Sequence, residues 1–295
     1  MSGIQLKIIH GIQSISNNFL DFIFEFITFF GEAFVAIAVV AFFYWIYNKK
    51  EGQKMATILI TSLTFNGAIK GVVKANRPFM DDSSVINKRP STATGYSFPS
   101  GHSQTAATFY TSLMVYFKKN WLNVLLSILI FLVMFSRLYL GAHYPVDVIV
   151  GGALGILFAL LMPLLIDKIQ NQTILLTFIL VIFIPFAVYF LIAKNDLNDD
   201  FFKMFGLLVG TLCAYVYERK FVNFTTDISR NKKIIRYITG IIILLVIQLG
   251  LKSLFGVIFP NPSYFVKTIL NIIRYGSISF VGLGLYPHFF TKLKF

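Results

Sequence analysis

Three short polar stretches in an otherwise apolar chain carry the residue types that could do chemistry. They are Lys70-Gly-Val-Val-Lys-Ala-Asn-Arg77-Pro78, Phe98-Pro-Ser-Gly-His102 and Ser136-Arg-Leu-Tyr-Leu-Gly-Ala-His143-Tyr-Pro-Val-Asp147. Lys70 and Arg77 stand two helical turns apart, so both can project from one face near a helix end, with Lys74 between them. A cation inside an apolar helix is costly and marks a site or a watery cavity. At a helix end it can instead snorkel to the headgroups, a reading open to Arg77 and Lys74 and harder for the deeper Lys70. Pro78 stops the helix after Arg77.

In the second stretch Pro99, Ser100 and Gly101 open a helix, with Ser100 as its N-cap. Free N–H groups there, and a glycine that admits an anion to the backbone, make a phosphate cradle with His102 on the first turn. A histidine at a helix start is by itself more often structural. The third stretch adds Arg137, whose planar fork suits phosphoryl oxygens, and His143. Asp147, four residues on, can accept the Nδ1–H of His143 and leave Nε2 as a nucleophile. The same carboxylate can also simply favour a helix N-terminus.

The order Lys-x6-Arg-Pro, Pro-Ser-Gly-His, Ser-Arg-x5-His-x3-Asp resembles the signature of the type 2 phosphatidic acid phosphatase superfamily. Its members include membrane lipid-phosphate phosphatases, glucose-6-phosphatase and vanadium haloperoxidases. The likeness covers roughly residues 15–166, with 167–193 as the usual sixth core helix. It implies that His143 attacks phosphorus in line to give a phosphohistidine, with Asp147 orienting it. His102 would protonate the leaving alkoxide and then activate water. Lys70, Arg77 and Arg137, with Ser100 and the Gly101 amide, would neutralise the equatorial oxygens. No cofactor is expected and no metal site: His10 and His288 have no partner at ligand spacing.

These residues need positioning elements, and composition says what kind. The 295 residues are 56% hydrophobic and only 13% charged, with mean hydropathy +0.73. Soluble domains are about a quarter charged, so this is a membrane protein. The net charge of +13 would suggest nucleic acid in a soluble chain. Here it reflects basic cytoplasmic loops, and no nucleic acid is expected. Cys213 is read as packing in an apolar run, and the N-terminus lacks the features of a signal peptide. The expected fold is an all-α polytopic bundle: a six-helix phosphatase core over 1–193 and about three further transmembrane helices over 194–295. Spans are expected at 20–47, 55–75, 101–117, 121–140, 146–166, 173–193, 201–218, 235–258 and 264–290, with no repeat and no soluble domain.

Loop charge orients them. Lys49, Lys50 and Lys54, then Lys118 and Lys119, Lys168, the basic run Arg219–Arg236, and Lys292 with Lys294 fall on one side, which the positive-inside rule makes cytoplasmic. The C-terminus is then inside, the N-terminus outside, and all three motifs meet on the extracytoplasmic face. A miscounted span would have split them across the bilayer.

Two features stay open. Asp21, Glu25, Thr28 and Glu32 form one narrow helical face. Residues 17–30 either lie in the interface with these acids toward water, or turn them inward onto buried cations. Lys252, Lys267 or Arg274 would be a partner for Glu25 or Glu32, though Lys267 can equally anchor at the headgroups. Gly206 and Gly210 form a small-residue packing seam. The implied function is hydrolysis of a lipid phosphate or diphosphate, such as phosphatidate, phosphatidylglycerophosphate or undecaprenyl diphosphate. A soluble ester such as a sugar phosphate is the alternative with the same chemistry, and a transporter or lipid-binding protein the alternative without it.

Overall fold

The computed structural model describes residues 2–292, and all regular structure among them is helical; Lys294 lies outside them. Helix α1 (Ser2–Gln13) has no long apolar run and is not among the expected spans. It buries Ile9 and fastens Gln13 Nε2 to the carbonyls of Ile86 and Tyr139 at 2.8 and 3.1 Å.

Helix α2 (Asn18–Phe29) starts at Asn17, whose side chain accepts from the Leu20 amide at 3.0 Å. Its twelve residues rise about 18 Å, too little to cross a hydrocarbon core of about 30 Å. After a 43° bend, α3 (Ala33–Phe42) and a π turn over Phe43–Tyr47 continue the apolar stretch. Phe19, Phe22, Phe26 and Phe29 are exposed on one side of α2. On the other, Asp21 takes Lys88 Nζ at 2.8 Å, and beyond the helix end Glu32 takes Arg89 at 2.6 Å. The acids at 21 and 32 thus face loop cations rather than water, and Glu25 alone of the three is exposed. Their partners come from the 83–97 loop and not from the C-terminal third. Lys267 is held by Asp196 and Asp199 at 3.0 and 2.9 Å, because the acidic run 196–200 meets the start of the helix that carries Lys267.

Then come α4 (Lys49–Val73), the short α5 (Pro78–Asp81), α6 (Gly101–Phe117), α7 (Asn120–Tyr139), α8 (Pro145–Ile169) and α9 (Gln172–Ala193). They are followed by α10 (Asp199–Phe221), α11 (Arg230–Ile258), α12 (Tyr264–Phe280), a π turn and α13 (Tyr286–Lys292). Among the described residues, seven helical stretches are long and apolar enough to cross a membrane, and the bent α2–α3 stretch would make an eighth. The protein is a multi-pass membrane protein, and eight of the nine expected spans coincide with these stretches. The ninth, 101–117, is helix but not among them: α6 has only 17 residues, and its polar middle, Ser103 to Ser112, is buried in protein rather than lipid.

Two compact units divide the chain: Met1–Ala36 with Phe65–Leu164, and Ile37–Thr64 with Leu165–Phe295. Every motif residue lies in the first. In the second, Gly206 and Gly210 let α10 and α12 touch, since a Cβ on Gly206 would stand 2.6 Å from the Ile272 carbonyl. Ser279 Oγ donates across that seam to the Leu207 carbonyl at 2.9 Å. Cys213, expected as packing, is exposed on α10.

Candidate active site

Helix α4 ends at Val73, where Lys74 takes a left-handed φ of 55°, so Lys70 and Arg77 do not share a helical face. Lys74 is exposed, away from any such face. The other two are brought together by the carbonyls of Thr94–Ser97. Lys70 Nζ donates to Tyr96 and Ser97 at 2.5 and 3.3 Å. Arg77 donates through Nε to Gly95 at 3.0 Å, through Nη2 to Thr94 at 2.5 Å, and through Nη1 to Ala142 at 2.9 Å. Both cations are buried, and carbonyl dipoles take up their charge.

Arg77 Nη1 also lies 3.3 Å from His143 Nε2. A guanidinium offers only N–H groups, so Nε2 must accept and the ring proton sits on Nδ1. Nδ1 faces Asp147 Oδ2 at 3.4 Å and Ser97 Oγ at 3.3 Å. Oδ2 further accepts from Ser97 Oγ at 2.5 Å and the Tyr144 amide at 2.9 Å. His143 and Asp147 are 2% and 1% exposed. Burial first, then the cations Arg77, Lys70 and Arg137, holds the His143 imidazole well below the ordinary histidine value. The expected pair of His143 and Asp147 is assembled, in the tautomer that leaves Nε2 with its lone pair.

Ser97 escaped the sequence reading, because a serine upstream of the second motif carries no signal of its own. Here it is fully buried and makes the shortest bond to Asp147. Ser97→Ala should lower kcat about tenfold with KM within about twofold, the scale seen when a hydrogen-bond partner that orients a metal-bound histidine is lost. Ser97→Thr should restore most of the loss; steady-state kinetics on the three proteins checks this.

Ser100 caps α6 as expected. Its Oγ accepts from the Ser103 amide at 3.4 Å and the Ser103 hydroxyl at 2.9 Å, and its own amide donates to the Asp147 carbonyl at 3.0 Å. A Cβ on Gly101 would meet only Asn66 Oδ1, at 3.7 Å, so the protein's own packing does not demand glycine there. Asn66 braces this turn from α4 through Gln104 Oε1 at 2.8 Å.

Arg137 differs from Arg77. It is 0% exposed, and its Nη1 donates to Thr28 Oγ1 at 2.9 Å, yet Nε and Nη2 have no partner. His102 Nε2 is likewise buried and unpartnered. Buried unsatisfied polar atoms are rare in native proteins and call for an explanation. Thr28, the polar member of the α2 stripe, was visible in sequence but not as a partner of Arg137. Among the described residues no three His, Cys, Asp or Glu side chains group so as to hold a metal ion.

The PAP2 superfamily profile matches residues 51–171, which contain all the motif residues, and the profile of the PAP2 superfamily phosphatase transmembrane extension matches 202–295. The undecaprenyl-diphosphatase BcrC of Bacillus subtilis is 32% identical over 48% of this chain and 72% of its own length. The chain belongs to the PAP2 superfamily. It is a phosphatase, the activity that the profile over 202–295 and the matched relatives carry in their names. An undecaprenyl-diphosphatase of Sulfolobus acidocaldarius is 29% identical to this PAP2 phosphatase, over 52% of this chain and 80% of its own. The crystal structure of Aquifex aeolicus LpxE aligns with a TM-score of 0.49 at 24% identity, over 53% of this chain and 93% of that one.

Proposed function

We propose that this PAP2 phosphatase hydrolyses a lipid phosphate or diphosphate at the extracytoplasmic face of the cell membrane, through a phosphohistidine and without a metal. The observation that carries the reading is the set of unpartnered buried atoms on Arg137 and His102, in the same compact unit as a neutral His143 whose unprotonated Nε2 accepts from Arg77 in the resting protein. A phosphoryl group supplies the acceptors the guanidinium lacks. His143 Nε2 bonds to phosphorus as the ester oxygen leaves with a proton from His102. Water, deprotonated by His102, then displaces the histidine. Asp147 and Ser97 hold the imidazole through both steps, and Arg137, with the Ser100–Gly101 turn, binds the equatorial oxygens. Lys70 and Arg77 set the 94–97 loop and add positive potential behind them.

Lipid is favoured over a soluble ester by the exposed apolar side chains of α7 and α8, the helices that carry Arg137 and Asp147. Val124, Ile128 and Phe131, and Ile149, Ile156 and Leu160, suit a tail that stays in the bilayer. The curated relatives named above are diphosphatases of a prenyl lipid, which fits the same reading. Residues 1–193 form the phosphatase core in this proposal, 194–295 a membrane extension, and the C-terminus is cytoplasmic.

The deciding experiment is a panel of phosphatidate, phosphatidylglycerophosphate, undecaprenyl diphosphate and a sugar phosphate with purified protein. Turnover of one of the lipids that survives chelation and is blocked by vanadate is expected. Turnover of the sugar phosphate alone, or a metal requirement, counts against the reading. Since the His143 pKa is depressed, its neutral form persists below pH of about 6.5, the ordinary histidine value. The acid limb of kcat/KM should therefore fall below that pH, while kcat's limb moves up because a bound anion favours imidazolium.

A further inference from the structure

The break between α2 and α3 sits on the site. Thr28 holds Arg137 Nη1 at 2.9 Å, and a Cβ on Gly31 would stand 3.1 Å from the His102 carbonyl and 3.2 Å from its Cβ. A Cβ there would also stand 2.6 Å from Val133 Cγ1, so a larger residue would push this turn off the site, and the next residue is Glu32. Its carboxylate holds Arg89 Nη2 at 2.6 Å, with both side chains about a quarter exposed at 24% and 21%. Arg89 Nη1 adds a weaker bond to the Glu25 carbonyl at 3.4 Å. The neighbouring Lys88 is fixed to Asp21, and its amide to the Leu140 carbonyl at 3.1 Å. The Glu32–Arg89 pair therefore starts one residue from the turn that packs on the His102 backbone, and Arg89 is carried by a loop fastened at Lys88. In the proposed mechanism His102 meets the leaving oxygen.

We infer that the Glu32–Arg89 pair selects substrates whose leaving group is itself a phosphate. This rests on the proposed phosphatase mechanism and names which substrate class it prefers. On a diphosphate, His143 Nε2 bonds to the terminal phosphorus as its bond to the bridging oxygen breaks. That oxygen departs with the bonding electrons on the lipid monophosphate and takes the proton from His102. Water then adds at phosphorus, the N–P bond breaks, and inorganic phosphate leaves. The departing monophosphate is anionic beside His102, where an alcohol would be neutral. Arg89 exchanges its single Glu32 contact for the oxygens of that phosphate, which its planar fork can take two at a time. Until such a substrate arrives, Glu32 keeps the guanidinium compensated at the rim.

The test uses the purified full chain with a prenyl diphosphate and the prenyl monophosphate of the same tail. Arg89→Ala should lower kcat/KM on the diphosphate by about tenfold or more and on the monophosphate by less than about threefold, because only the former loses a bonded partner. Arg89→Lys should fall between, and Glu32→Gln should lower KM for the diphosphate alone. Equal losses on both substrates with Arg89→Ala, together with an unchanged diphosphate preference in Glu32→Gln, would make the pair a loop anchor and overturn the inference. A wild-type protein that hydrolyses phosphatidate or phosphatidylglycerophosphate but neither prenyl substrate would overturn the inference alone; one that hydrolyses none of these lipids would overturn the lipid phosphatase reading, and the inference with it.

Discussion

His143→Ala is expected to lower turnover by about four orders of magnitude or more, the scale seen when a covalent nucleophile is removed. The argument is geometric. The Nε2 lone pair is freed by the Nδ1 proton, which faces Asp147 and Ser97, and it is aligned by Arg77 at 3.3 Å. No other nucleophile is held this way in the three motifs, since the Ser100 hydroxyl is occupied by Ser103 and caps α6. The fold should tolerate the change: Arg77 keeps its bonds to Gly95, Thr94 and Ala142, and the turn between α7 and α8 is tied by the Lys88 amide to Leu140. Phosphate release measured on inserted, monodisperse protein checks it, and retained turnover would remove His143 from the mechanism. His102→Ala should behave differently with an activated ester whose leaving group needs no proton. The first step then proceeds, the second lacks its base, and acid-labile phosphoenzyme should accumulate in quenched samples. In His143→Ala no such species should form.

The parts of this site that were legible in sequence are those whose chemistry is rare in a membrane. Cations and histidines within apolar helices stand out, and hydropathy located the helices because lipid-facing runs such as Asn120–Tyr139 are long and nearly uncharged. What was not legible shares one cause. Lys70 and Arg77 are joined by backbone carbonyls of residues 94–97, and a carbonyl is the same in every residue. Helix spacing suggested a shared face; the left-handed Lys74 ended the helix first, and the loop supplied the juxtaposition instead. Ser97 and Thr28 are small hydroxyls, too common to single out, that matter because of what tertiary packing places against them. Asp21 and Glu32 were visible as misplaced acids. Their partners, Lys88 and Arg89, lie in a loop without periodicity, so no local rule could pair them.

Arg137→Met is expected to lower kcat/KM by about 100- to 1,000-fold, the effect of deleting a preorganised oxyanion donor, while leaving the protein as stable as wild type or more so. Both parts follow from the unpartnered Nε and Nη2. A buried charge without its counterpart is a cost in the resting protein, and an apolar residue of similar volume is often neutral or stabilising by about 1–4 kcal/mol in its place. The charge is compensated only when a phosphoryl group arrives. Arg137→Lys should not restore activity, because an ammonium cannot reproduce the fork. Arg77→Met is expected to show the opposite pattern in stability. It would strip donors from the Gly95, Thr94 and Ala142 carbonyls and loosen the loop, a loss of about 1–3 kcal/mol for each buried acceptor left unsatisfied. Thermal unfolding in detergent, with and without vanadate, separates the two arginines. Wild type should gain stability from vanadate, and Arg77→Met should start low and still gain some. Arg137→Met should start at or above wild type and gain almost nothing, because the donors that hold the anion are gone. A large destabilisation of Arg137→Met, or an undiminished vanadate shift in it, would show that this guanidinium serves the fold and not the phosphate.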